Sequence, residues 1–97
     1  TYLTLGDLEE ALKAYRDRLT IAERLANADA TNMLWQRDLS VSYNKVGGVL
    51  VKQGKLEDAL KAYRDGLTVR ERLAAADATN AQWQRGLSVS YNNIGDV

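Results

Sequence analysis

The sequence predicts an all-α protein, built as a solenoid of antiparallel helical hairpins. Three observations carry that expectation. The first is a repeat. With an offset of 48 residues, Gly6 to Val49 aligns without insertion onto Gly54 to Val97, and 32 of the 44 aligned pairs are identical. Periods of roughly 20 to 50 residues mark solenoids, in which one unit cannot bury its own apolar face and stacked neighbours bury it for each other. The second is spacing: apolar residues within the unit recur every three or four positions, which is one face of an α-helix. The third is composition. Proline, which breaks helices, is absent, and Ala, Leu, Arg, Lys, Glu and Gln, the better helix formers, are abundant.

The unit contains two helices. The first type is expected from about Asn32 to Gln53, on the stripe Trp35, Leu39, Tyr43, Val46 and Leu50. Asn32 and Asn80 precede these runs and suit N-caps, while Thr79 with Gln82 could alternatively form a capping box. The second type begins after Gly54, on the stripe Leu56, Ala59, Leu60, Tyr63, Leu67, Leu73 and Ala74. Gly6 and Gly54 are placed to let the chain turn between helices, since glycine takes the left-handed conformation readily. The string "ADATN", at Ala28 to Asn32 and Ala76 to Asn80, is the other connector. Connections this short make consecutive helices antiparallel neighbours.

Composition excludes several functions. Apolar residues at 45% and charged residues at 27% suit a soluble globular chain and are wrong for a disordered one. The net charge is zero and the pI near 6.1, which argues against a nucleic-acid or anionic-membrane surface. Cysteine and histidine are both absent. That removes disulfides, thiolate metal sites, and the commonest general base and metal ligand, so neither a metal nor a cofactor is expected. No apolar run approaches the roughly 20 residues of a membrane span, and no signal-peptide pattern opens the chain. A cytoplasmic location is the default. No catalytic constellation, phosphate loop or dinucleotide fingerprint is present, so no enzyme is expected. Glu9 with Lys13, and Glu57 with Lys61, read as solvated i,i+4 pairs worth about 0.2–0.5 kcal/mol each. Trp35 and Trp83 lie on the apolar stripe and read as core rather than as ligand contacts.

The run Tyr43, Val46-Gly47, Leu50, Gly54, Ala59 and Tyr63 resembles the tetratricopeptide repeat. Tyr91, Ile94 and Gly95 repeat its start, and Gly6, Ala11 and Tyr15 its later half. Two features depart from the family: the usual closing proline is missing, and the period is 48 rather than about 34. The extra residues amount to about four helical turns, two on each helix. The resemblance implies a right-handed superhelix serving as a protein-interaction scaffold. It also implies that Gly47 and Gly95 let paired helices approach closely. The first helix of each hairpin would line a concave groove. By position, that groove would show Arg37, Val41, Asn44, Lys45, Gly48 and Lys52, then Arg85, Val89, Asn92, Asn93 and Asp96. An asparagine ladder of Asn44 and Asn92 would suit a peptide backbone, and Arg37 with Arg85 an acidic side chain or a C-terminal carboxylate. The family's carboxylate clamp is not matched, because Gly48 stands where it needs a second asparagine.

Residues 1–97 therefore read as one array: residues 1–5 as the tail of a first-type helix, 6–53 as a repeat, and 54–97 as a second, incomplete repeat. Neither end shows a polar capping unit, which predicts a fragment of a longer array. The alternative to a scaffold with a protein or peptide partner is a structural spacer or self-assembling rod, with molecules associating end to end.

Overall fold

A computed structural model describes residues 5–97, which form four helices. These are α1 (Leu5–Ala28), α2 (Met33–Lys52), α3 (Leu56–Ala76) and α4 (Ala81–Asp96). The described residues contain no strand. The protein is an all-α helical repeat, with α2 and α4 as the first-type helices and α1 and α3 as the second type.

Both first-type helices start in the same way. The Asn32 Oδ1 accepts the backbone N–H of Trp35 at 3.1 Å, and the Asn80 Oδ1 accepts those of Gln82 at 2.9 Å and Trp83 at 3.3 Å. Each asparagine thereby satisfies donors that a helix leaves unpaired in its first turn. The capping-box alternative does not form. The Thr79 hydroxyl donates to Asp77 Oδ1 at 2.8 Å instead, and Thr31 donates to Asp29 at 2.6 Å. The backbone N–H groups of the same threonines also reach those carboxylates, so "ADATN" is a local turn that delivers the chain to its cap. The Thr31 hydroxyl, and then its backbone N–H, hold the Asp29 carboxyl below its ordinary value.

The opposite connector closes α2. Gly54 takes φ +78°, its N–H bonds the Val51 carbonyl at 2.9 Å, and the Lys55 N–H bonds the Leu50 carbonyl at 2.9 Å. This is the Schellman arrangement, which needs a left-handed residue and therefore favours glycine. Gly6 does not repeat it. It lies inside α1, where glycine is merely tolerated, and Leu5 opens that helix rather than closing an earlier one. The rest of the tail expected at residues 1–5 lies outside the described residues.

The helices pack in chain order. α2 lies between α1 and α3, sharing its larger interface with α3, and α4 packs on α3. Pairings run antiparallel: Gln36 bonds the Ala26 carbonyl near one end, while Val49 and Leu50 cluster with Leu8 and Leu12 near the other. The main core joins Leu8 and Leu12 of α1, Val46, Val49 and Leu50 of α2, and Ala59, Ala62 and Tyr63 of α3. Leu50 is 2% exposed. Trp83 packs with Leu73 and Ala74, and Trp35 is half-buried, as residues of an apolar stripe should be. Leu56 differs from expectation. It is 48% exposed, because Leu50, with which its counterpart Leu8 clusters, has no counterpart within these residues. The radius of gyration is 13.6 Å, against about 12.5 Å for a compact domain of this length, as suits a short open stack.

Candidate partner-binding groove

α2 and α4 stand side by side on α3, and an open cavity of about 290 Å³ lies between them. Arg37, Ser40 and Val41 of α2 form one wall; Gln82, Trp83, Arg85, Gly86 and Val89 of α4 form the other. Arg70 and Leu73 of α3 make the floor. Helical register explains the walls: positions 37 and 41, like 85 and 89, are one turn apart on the same face. The cavity thus brings together Arg37, Val41, Arg85 and Val89 from the residues expected in the groove.

The other expected residues lie elsewhere. Lys45, with Val41, lines a second depression of about 330 Å³ against α1, where its ammonium sits 5.5 Å from the centre of the Tyr15 ring. Asn44 is half-buried, and its Oδ1 is buried without a hydrogen bond. A Cβ on Gly66 of α3 would lie 3.1 Å from that oxygen. Asn92 is exposed on α4. Asn44 is thus packed toward α3, and neither asparagine lines either depression. Gly48 and Asn93 are half-buried, and Lys52 and Asp96 exposed; none of them lines either depression. Asp96 acts instead on Tyr63, whose hydroxyl burial first, and that carboxylate second, push above its ordinary value.

Arg70 was not expected. Its guanidinium lies against the α4 backbone at Gly86, where a Cβ would collide with Nη1 and stand 3.2 Å from Cζ. Its Nε is buried and hydrogen-bonded to nothing, as is the Nε1 of Trp83. Burial, and then the Arg37 charge, push its pKa below the ordinary guanidinium value, although an arginine stays protonated at neutral pH. A comparison of the two units could have found it. Ala22 and Asp38 in the first become Arg70 and Gly86 in the second, two differences that meet in the fold.

No described helix is long and apolar enough to cross a membrane. Residues 39–77 match a family model described as a tetratricopeptide repeat, and residues 1–24 match a second model of the same description. No curated protein and no solved structure matches the chain. Paired antiparallel helices, a glycine C-cap between them, Gly47 against Tyr63 and these two matches lead to one conclusion: the chain belongs to the tetratricopeptide repeat family.

Proposed function

We propose that this chain is a scaffold whose protein or peptide partner lies in the groove between α2 and α4. Tetratricopeptide repeats generally mediate protein–protein interaction. The observation that carries the assignment to this groove is the convergence of Arg37, Val41, Arg85 and Val89 on one cavity. Its walls are helical, so these side chains lose little freedom when a partner arrives. Val41 and Val89 offer apolar contact, and the arginines fix an acidic group beside it. Val89 is exposed, so its replacement spares the core. The test is an immobilised random-peptide library, probed with wild type and Val89→Gln. Binders that lose about tenfold or more in affinity with the variant, at unchanged helical circular dichroism, support the groove. Binders indifferent to the substitution, or none at all, overturn it.

A second reading, the self-assembling rod, is favoured by the outer face of α4. There Tyr91 is 55% exposed, whereas its counterpart Tyr43 is packed into the core. A second copy of this chain would cover that face, and the test is its oligomeric state.

A further inference from the structure

We infer that Arg37, Arg70 and Arg85 form an oxyanion site with no equivalent within the first unit, whose fitting occupant is a phosphomonoester on a groove-bound peptide. The peptide part of this inference rests on the function proposed above; the oxyanion site does not.

The two units differ at only 12 of 44 aligned positions. Two of these differences act on one spot. Replacing Asp38 by Gly86 removes a carboxylate and clears the α4 backbone; replacing Ala22 by Arg70 puts a guanidinium into the space cleared. The two changes belong together, since a Cβ at position 86 would displace the Arg70 Nη1 from the place it holds. The corresponding place in the first unit has Ala22 and Asp38 lining its depression, with no such cradle.

Three arginines line the cavity and no carboxylate does. Asp38 reaches Arg37 at 3.5 Å from outside, in a pair whose two side chains are each at least half exposed and so worth little. Counting Asp38, two positive charges remain unbalanced. A carboxylate would neutralise one of them. A phosphomonoester, carrying about −1.5 to −2, neutralises both and offers three acceptor oxygens to guanidinium forks. Arg70 and Trp83, which line the cavity, each also carry a buried donor without an acceptor, Nε and Nε1. Buried donors left unpaired are destabilising, so a small shift of either side chain toward an acceptor seated in the cavity would be favourable. Burial of Arg70 beside Arg37, which already presses its guanidinium toward losing charge, acts in the same direction.

The test is titration with phenyl phosphate and with benzoate at constant ionic strength. The backbone amide of Gly86 and the arginine Nε–H groups are followed by NMR in wild type, Arg70→Ala and Arg85→Gln. Saturable binding of phenyl phosphate is expected, at least about tenfold tighter than benzoate and about tenfold weaker in either variant. Arg70→Ala installs the residue the first unit already carries, and Arg85 is exposed, so Arg85→Gln keeps the test valid should Arg70→Ala unfold. Non-saturable shifts, or equal affinity in wild type and Arg85→Gln, overturn the site and leave Arg70 a packing residue. Benzoate binding as tightly as phenyl phosphate overturns the phosphate assignment. Phenyl phosphate bound while random peptides are not would sink the groove and leave the site standing. Peptides bound equally with and without phosphoserine, and regardless of Arg85→Gln, would do the reverse.

Discussion

Gly47 and Gly95 hold the same place in the repeat and meet different surroundings. A Cβ at Gly47 would lie 2.6 Å from Cε1 and 2.8 Å from Cδ1 of Tyr63, while nothing lies within 4 Å of one at Gly95. The ring of a buried tyrosine cannot retreat without moving α3. Gly47→Ala should therefore destabilise by about 1–2 kcal/mol, the overpacking cost less the better helix propensity of alanine. In a chain of this size each 1 kcal/mol lowers the melting midpoint by about 4–8 °C. Gly95→Ala should leave the stability within about 0.5 kcal/mol of wild type, and an equal loss in both variants would refute the close-approach argument. Tyr63, and Tyr43 in the next contact along α2, also make stability depend on alkaline pH. Burial raises both hydroxyls above their ordinary 10.0, with Glu23 and Asp65 adding to the effect at Tyr43 and Asp96 at Tyr63. The folded state holds these protons more tightly than the unfolded one. Their contribution is thus complete below about pH 10 and is lost as pH rises past it toward the folded values. Urea midpoints measured from pH 8 to 11.5 should fall above pH 10, and fall less steeply in Tyr43→Phe/Tyr63→Phe.

At the scale of elements, the caps are equal and their supports are not. Asn32→Ala and Asn80→Ala should each cost about 1 kcal/mol, since each removes an oxygen that serves first-turn N–H groups. Among the described residues α2 is packed on both α1 and α3, whereas α4 rests chiefly on α3. Asn80→Ala should accordingly speed amide exchange within α4 alone, whereas Asn32→Ala should lower protection throughout. Equal and global loss in both variants would mean that α4 does not open independently. The same division separates what could be read in the sequence from what could not. Both asparagine caps, the Gly54 turn and the stripe through Leu39, Val46 and Leu50 depend on neighbours within a few residues, so spacing alone reveals them. Ser40, Ala62, Gly66 and Val69 are buried because α2 and α3 cover each other on a second face, which no single stripe announces. Four of the ten residues lining the cavity were legible for a related reason. Arg37, Val41, Arg85 and Val89 follow from helical register and repeat spacing, whereas Asn44 was claimed by a neighbouring helix. Arg70 needed its pairing with Gly86, which lies on another element.

At the scale of the molecule, the two outer faces are copies of the halves of an interface already inside it. α3 packs on α2 through Tyr63, Gly66, Val69 and Leu73; the counterparts on α1 are Tyr15, Arg18, Ile21 and Leu25. Ile21 is 57% exposed and Leu25 40%, where Val69 and Leu73 are buried. On α4, Tyr91 and Gly95 stand uncovered where Tyr43 and Gly47 of α2 meet α3. On the rod reading proposed above, the α1 of one molecule would dock on the α4 of another as α3 docks on α2, with Tyr15 over Gly95. Such a contact would be heterologous and would propagate into a rod. One residue opposes it. Arg18 stands where α3 has Gly66, and a Cβ at Gly66 would already lie 3.1 Å from Asn44 Oδ1 and 3.2 Å from Tyr43 Cβ. Arg18 should thus keep wild-type association weak, and Arg18→Gly should strengthen it by about tenfold or more in sedimentation equilibrium. Adding Gly95→Ala to Arg18→Gly should return the molecule to wild-type behaviour, because the new methyl group would meet the ring of the incoming Tyr15 as a methyl at position 47 would meet Tyr63. Both variants change exposed positions, so the fold should be kept, with Arg18→Gly costing about 1 kcal/mol of helix propensity inside α1. An Arg18→Gly protein that stays monomeric at its highest soluble concentration would show that these faces do not recognise each other. One that associates regardless of Gly95→Ala would show that they meet in some geometry other than the one repeated within the chain.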